Sequence, residues 1–120
     1  QLDELLRDMR QRKLEKIALY TQDGLTYLRL NQIVHLQSDG SYTTFFLHNR
    51  ERHIVSRPIG EYEDMLAADG FFRIHQSHIV NLHFVKRVLR EDGGYVEMET
   101  GAKLPIARRR KEEFLRRLEG

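Results

Sequence analysis

The run His75-Gln76-Ser77-His78 sets four hydrogen-bonding side chains in a row, with Phe72 and Ile74 before it and Ile79 and Val80 after it. Apolar anchors on both flanks would mount such a run as a rigid polar turn. A glutamine amide pairs bidentately with adenine in a major groove, while serine and histidine suit phosphate oxygens. Asn81, just beyond, fits better as a holder of backbone groups. A second run, Ala107-Arg108-Arg109-Arg110-Lys111, gathers four cations where a helix is expected to open. The positive end of the helix macrodipole lies there, so each cation is unfavourable by roughly a few tenths of a kcal/mol. A bound phosphate resolves that conflict, because the helix N-terminus and the guanidinium groups attract it together. One of these arginines can also reach N7 and O6 of a guanine. Taken singly, Arg110 and Lys111 fit plain solvated charges as well. A third segment, Ser38-Asp39-Gly40-Ser41-Tyr42-Thr43-Thr44, is small and hydroxylated. It suits close approach to a nucleic-acid backbone and, equally, an ordinary hairpin turn.

Other chemistries fit less well. His75, His78 and His83 have spacings that suggest metal ligation, yet no acidic residue lies between positions 71 and 90. Arg73, Lys86, Arg87 and Arg90 share that stretch and would repel a cation, so no metal site is expected. No nucleophile, base and acid stand in a catalytic order, and there is no Walker loop or G-x-G-x-x-G. Neither an enzymatic activity nor a cofactor is expected.

Bulk properties agree with a small recognition domain. The chain has 120 residues, 40% hydrophobic and 32% charged, enough for one core. Its net charge is only +2, so distribution matters more than total. Basic residues concentrate in 71–90 and 103–117, and acids lie mostly elsewhere. Charge alone favours a solvated face, and an acidic protein partner is the alternative to DNA. There is no cysteine, and no stretch approaches the roughly 20 apolar residues of a membrane span. A cytoplasmic location is therefore expected.

The elements that must position these runs are mostly strands. Leu2, Leu5, Leu6 and Met9 give a helical stripe over 1–14, which reads as a linker (1–15) ahead of a domain spanning 16–120. The period then becomes alternating. Strands over 17–21 and 26–30 flank Asp23-Gly24, a hairpin signal. Further strands are expected at 33–38, 42–48 and 53–55. A short helix follows from Pro58 to Leu66, with Gly70 placed to end it. Apolar runs at 71–74 and 79–82 precede a hairpin of 84–90 with 95–100 around Asp92-Gly93-Gly94. A last strand at 103–106 leads into a closing helix from about Ala107, with Lys111, Phe114, Leu115 and Leu118 on one face. Such a chain must pack sheet on sheet to bury its apolar faces.

The segment Phe72-Arg73-Ile74-His75-Gln76-Ser77-His78-Ile79-Val80-Asn81 resembles the LytTR family, whose pattern is aromatic, x, apolar, His, x, Ser, aromatic, apolar, Val, Asn. Leu104-Pro105-Ile106-Ala107-Arg108-Arg109 resembles the family's Pro-Val-Ser-Arg-Arg motif before the last helix. Ile33 to Thr44 resembles its upstream segment ending in Tyr-Thr. The similarity covers about residues 16–118. It implies a mainly β fold, an elongated arrangement of three small antiparallel sheets with short helices. It implies loops that enter successive major grooves of double-stranded promoter DNA, with a homodimer on direct repeats. It also implies the output domain of a two-component response regulator. Carried over by position, Tyr42, Thr43, Gln76 and Arg109 are the base contacts; Arg57, His75, Ser77 and Arg108 are the phosphate contacts. Two positions depart from the pattern. His78 stands where the family usually has Tyr or Phe, and Ala107 where it usually has Ser.

Overall fold

The computed structural model describes residues 15–90 and 94–120. The helix expected over 1–14 and the tip of the hairpin at Asp92-Gly93 lie outside the described residues.

Among the described residues ten strands form three sheets, and every pairing is antiparallel. The first sheet is the hairpin of β1 (Lys16–Thr21) and β2 (Gly24–Arg29), with Thr21 opposite Gly24. Only Gln22 and Asp23 remain in the turn, and Gly24 takes φ +117, a conformation L side chains resist. The central sheet has five strands in the order β5 (Arg52–Val55), β4 (Tyr42–Leu47), β3 (Ile33–Asp39), β7 (His78–Asn81) and β6 (Phe71–His75). The third sheet orders β10 (Lys103–Pro105), β9 (Tyr95–Met98) and β8 (Val85–Leu89). Helix α1 (Ile59–Leu66) joins β5 to β6, and α2 (Lys111–Glu119) closes the chain. The expected strand-rich class and small antiparallel sheets are what the chain forms.

Period-2 alternation explains how the three sheets stack. On β3, Ile33 and Leu36 face one core while Val34 faces another, and a bulge between Ile33 and His35 is what brings positions 33 and 36 to the same face. Ile79 and Val80 on β7, and Phe71 and Phe72 on β6, divide in the same way. The central sheet is therefore buried on both faces, which is why these strands read as continuous apolar runs. The first core fills the space toward the β1–β2 hairpin and α1, where Phe45 meets Tyr62 edge-on with centroids 4.9 Å apart. The second lies toward the third sheet and α2, where Phe72 stacks on the fully buried Phe114 at 5.7 Å.

Helix boundaries follow the expected punctuation with two differences. Pro58 is the N-cap of α1, with ψ 147, rather than its first helical residue. At its far end α1 tightens into a 3-10 turn, Ala67–Asp69, and Gly70 at φ +84 stops it as expected. The second difference bears on recognition. Arg108–Arg110 form a 3-10 turn, and α2 proper begins at Lys111 with Glu112 and Glu113 in its first turn. Acids thus occupy the positive helix end, as stability favours, and the arginines stand just ahead of it. Of the four cations, only Arg110 as N-cap and Lys111 as first residue meet the positive end of this helix, and Glu112 and Glu113 offset them. On its face, Phe114 is buried but Leu115 is 38% exposed.

Candidate nucleic-acid interface

The β6–β7 turn is held by three separate ties. His75 and His78 are opposite each other, leaving Gln76 and Ser77 as the turn. The Ser77 amide donates to His75 Nδ1 at 3.0 Å. The Ser38 amide donates to the Ser77 carbonyl at 2.9 Å, which locks this turn to the end of β3. Arg73 reaches back beneath the turn and donates to the carbonyls of His75 (3.4 Å) and Gln76 (2.6 Å). With its backbone fixed, Gln76 is left exposed, while His75 and Ser77 are half-buried.

A cleft of about 490 Å³ runs beside this turn, lined by Ser38, Asp39 and Gly40, by Pro58 to Gly60, and by Arg73, Gln76 and Ser77. The strand order brings these segments together: β3 and β7 are neighbours, so their turns share one end of the sheet. Arg57 lies just before Pro58, is exposed, and pairs with Glu61 at 3.1 Å, one turn along α1. Tyr42, opposite Asp39 at the start of β4, is 51% exposed.

Thr43 is a correction. It shares a face of β4 with Phe45 and Leu47, is 0% exposed, and donates its hydroxyl to the Arg57 carbonyl at 2.7 Å. A side chain so placed reaches no base edge; it fastens the loop that carries Arg57. Thr43→Val is expected to lower stability by about 1 kcal/mol, the worth of one such hydrogen bond, in a denaturant titration. Any base preference should survive it, whereas a changed preference would restore Thr43 as a contact.

The Arg108–Arg110 turn joins the same region through β6. The Ala107 amide donates to the Ile74 carbonyl at 2.7 Å. Arg108 and Arg109 are exposed. Arg110 pairs with Glu63 of α1 at 3.6 Å, and Glu63 pairs with Arg73 at 2.8 Å. The basic stretch at 71–90 is less free than its sequence suggests, because Arg73 is taken by Glu63 and Arg87 by Glu97 at 2.8 Å. Sequence reasoning passed over Glu63 and Arg73 as parts of the site. A lone arginine between the buried Phe72 and Ile74 was the available signal.

Two further histidines lie behind the turn. His35 and His78 are 4% and 8% exposed, and the Nδ1 of each is buried without a hydrogen-bond partner. Burial, together with the neighbouring His78, lowers the His35 pKa to about 4. Burial and His75 lower that of His78 to about 4. Both rings are neutral at pH 7, and His35 stacks on Phe46 at 4.4 Å. Asn81 is structural, as expected: it donates to the Ile33 carbonyl at 2.9 Å and accepts from the His83 amide at 3.1 Å.

The model of the LytTr DNA-binding domain family matches residues 23–119. The chain belongs to the LytTR family of DNA-binding domains. This LytTR domain is 32% identical over 81 residues to the heme-containing CO-sensing transcriptional regulator RcoM 1 of Paraburkholderia xenovorans. That match covers 68% of this chain and 30% of the relative. It is 33% identical over 101 residues to the CO-responsive transcriptional regulator RcoM of Rhodospirillum rubrum, covering 79% of this chain and 41% of that one. The LytTR domain thus spans less than half the length of these curated relatives. Its fold matches the LytTr DNA-binding domain of a putative methyl-accepting/DNA response regulator from Bacillus cereus. The TM-score is 0.76 at 21% identity, over 90% of this chain and all of the other. Among the described residues, no helix is long and apolar enough to cross a membrane.

Proposed function

We propose that this domain binds double-stranded DNA at a defined sequence, as the DNA-reading part of a transcriptional regulator. The observation that carries the reading is the convergence of two independent turns on one strand. Gln76 projects from the end of β6, and the Arg108–Arg110 turn is bonded to Ile74 of the same strand. An exposed amide and exposed guanidinium groups at fixed spacing suit two base edges better than they suit a diffuse charge contact. In this reading Gln76, Arg109 and Tyr42 contact bases, while Arg57, His75, Ser77 and Arg108 contact phosphates. A homodimer on direct repeats follows from the family resemblance.

The names of the relatives support a signal-responsive regulator. The family resemblance implies a two-component response regulator as the whole protein. The two relatives above 30% identity favour a sensor of a different kind. The DNA-reading role is the same in either case.

Arg109→Ala is expected to weaken binding to the preferred duplex by about 5- to 150-fold, the equivalent of about 1–3 kcal/mol for one lost base contact. Binding to a shuffled duplex should fall much less. Competition titrations with both duplexes check this. Equal losses on both would make Arg109 a phosphate contact. Absence of any preference in the parent chain would favour an acidic protein partner instead.

A further inference from the structure

Glu63 holds an arginine on each side. One carboxylate oxygen takes Arg73 Nη1 at 2.8 Å, and the other faces Arg110 Nη1 at 3.6 Å. Arg73 uses its remaining nitrogens on the His75 and Gln76 carbonyls. Arg110 belongs to the turn that presents Arg108 and Arg109. A single carboxylate on α1 therefore braces, through side chains, the two turns assigned above to base reading, which the Ala107–Ile74 backbone bond already joins. It is only half-buried, as is Arg110, and Arg73 is more deeply covered, with its side chain 18% exposed. A polyanion-binding surface gains affinity for any duplex by leaving its cations free. Here an acid occupies two of them.

We infer that Glu63 is a specificity-determining positioning residue: it braces the Gln76 and Arg109 turns against each other, beside the Ala107–Ile74 backbone bond, and withholds Arg73 and Arg110 from non-specific phosphate contact. The inference rests on the DNA-reading function proposed above. Its physical content is a trade between two kinds of binding. With Glu63 in place, the turns stand at one separation, so only a duplex that matches it gains both base contacts. Without the carboxylate, Arg110 swings free and the Arg73 guanidinium loses the partner that aims it at the Gln76 backbone. Attraction to any phosphate rises while the aim of the two turns loosens. A residue that merely stabilised the fold would lower both kinds of binding together.

The test uses the full 120-residue chain and its Glu63→Gln variant. The probes are the duplex most enriched from a random-sequence pool by the parent chain and a shuffled duplex of equal length, each titrated at several salt concentrations. For Glu63→Gln, affinity for the shuffled duplex is expected to rise about 3- to 10-fold. Its salt dependence should steepen by about one unit of log K against log salt, as one more phosphate contact requires. The ratio of the two affinities should fall at least tenfold. Glu63→Asp keeps the charge with a shorter reach, so shuffled-duplex binding should stay at the parent level while the ratio still falls. It also serves if Glu63→Gln folds poorly. An unchanged ratio in Glu63→Gln, or equal losses on both duplexes at an unchanged salt slope, overturns the inference. A parent chain that prefers no duplex overturns the underlying reading, and this inference with it.

Discussion

Between pH 8 and pH 4 the domain is expected to lose about 3 kcal/mol of stability or more, and His35 and His78 are the reason. Both are buried, and in both the pKa is lowered from 6.5 to about 4. The sign follows from proton uptake. Below pH 6.5 the unfolded chain binds a proton at each position, while the folded chain stays neutral down to about pH 4. Stability is therefore complete above pH 6.5 and falls steadily as pH drops toward 4. Each displacement corresponds to roughly 3 kcal/mol, and the two do not simply add, because the His78 ring contributes to the lowering at His35. His78→Phe isolates one of them. It installs an aromatic ring of the kind the family usually carries there and removes an Nδ1 buried without a partner. Thermal midpoints at pH 8 and pH 5 are the measurement. The variant should lose about 2 kcal/mol less than the parent between those two values. Parallel losses would mean that His78 stays accessible to protons in the folded chain.

Asn81→Ala is expected to remove about 3 kcal/mol at neutral pH, equivalent to roughly 10 °C in Tm. The side chain is 6% exposed and serves backbone groups on three segments. It donates to the carbonyl of Ile33 at the start of β3, with a longer bond of 3.4 Å to Leu30 just after β2, and it caps the His83 amide beyond β7. Alanine leaves these groups unpaired where water does not replace the lost bonds, and each buried orphan costs about 1–3 kcal/mol. A loss below 1 kcal/mol would show that water enters the site freely. DNA discrimination in the folded fraction should be unchanged, since Asn81 lies at the far end of β7 from Gln76.

The local parts of the fold were legible because their signals are local. Asp23-Gly24 marks a tight turn, Gly70 takes a left-handed conformation, and β3 and β7 read as apolar runs. The inward face of Thr43 was legible too. The alternation that sends Phe45 and Leu47 to the core also sends Thr43 there. The start of α2 was misplaced by a turn, although Glu112 and Glu113 mark the positive end of a helix better than a run of arginines does. What no local pattern carries is the link from Glu63 to Arg73 and Arg110. It depends on α1 packing near β6 and on the Arg108–Arg110 turn bonding to that strand. The two buried histidines were hidden for the same reason: burial on the second face of the central sheet is set by the third sheet arriving from later in the chain.

The central claim is that two fixed turns read a defined DNA sequence. The most direct measurement is selection of bound duplexes from a random-sequence pool, read by sequencing, with Arg109→Ala carried through in parallel. The expected result is a short motif repeated one or two helical turns apart. Its enrichment should collapse at one position per repeat in the variant. No enriched motif, with only weak salt-sensitive binding of all duplexes, would contradict the claim.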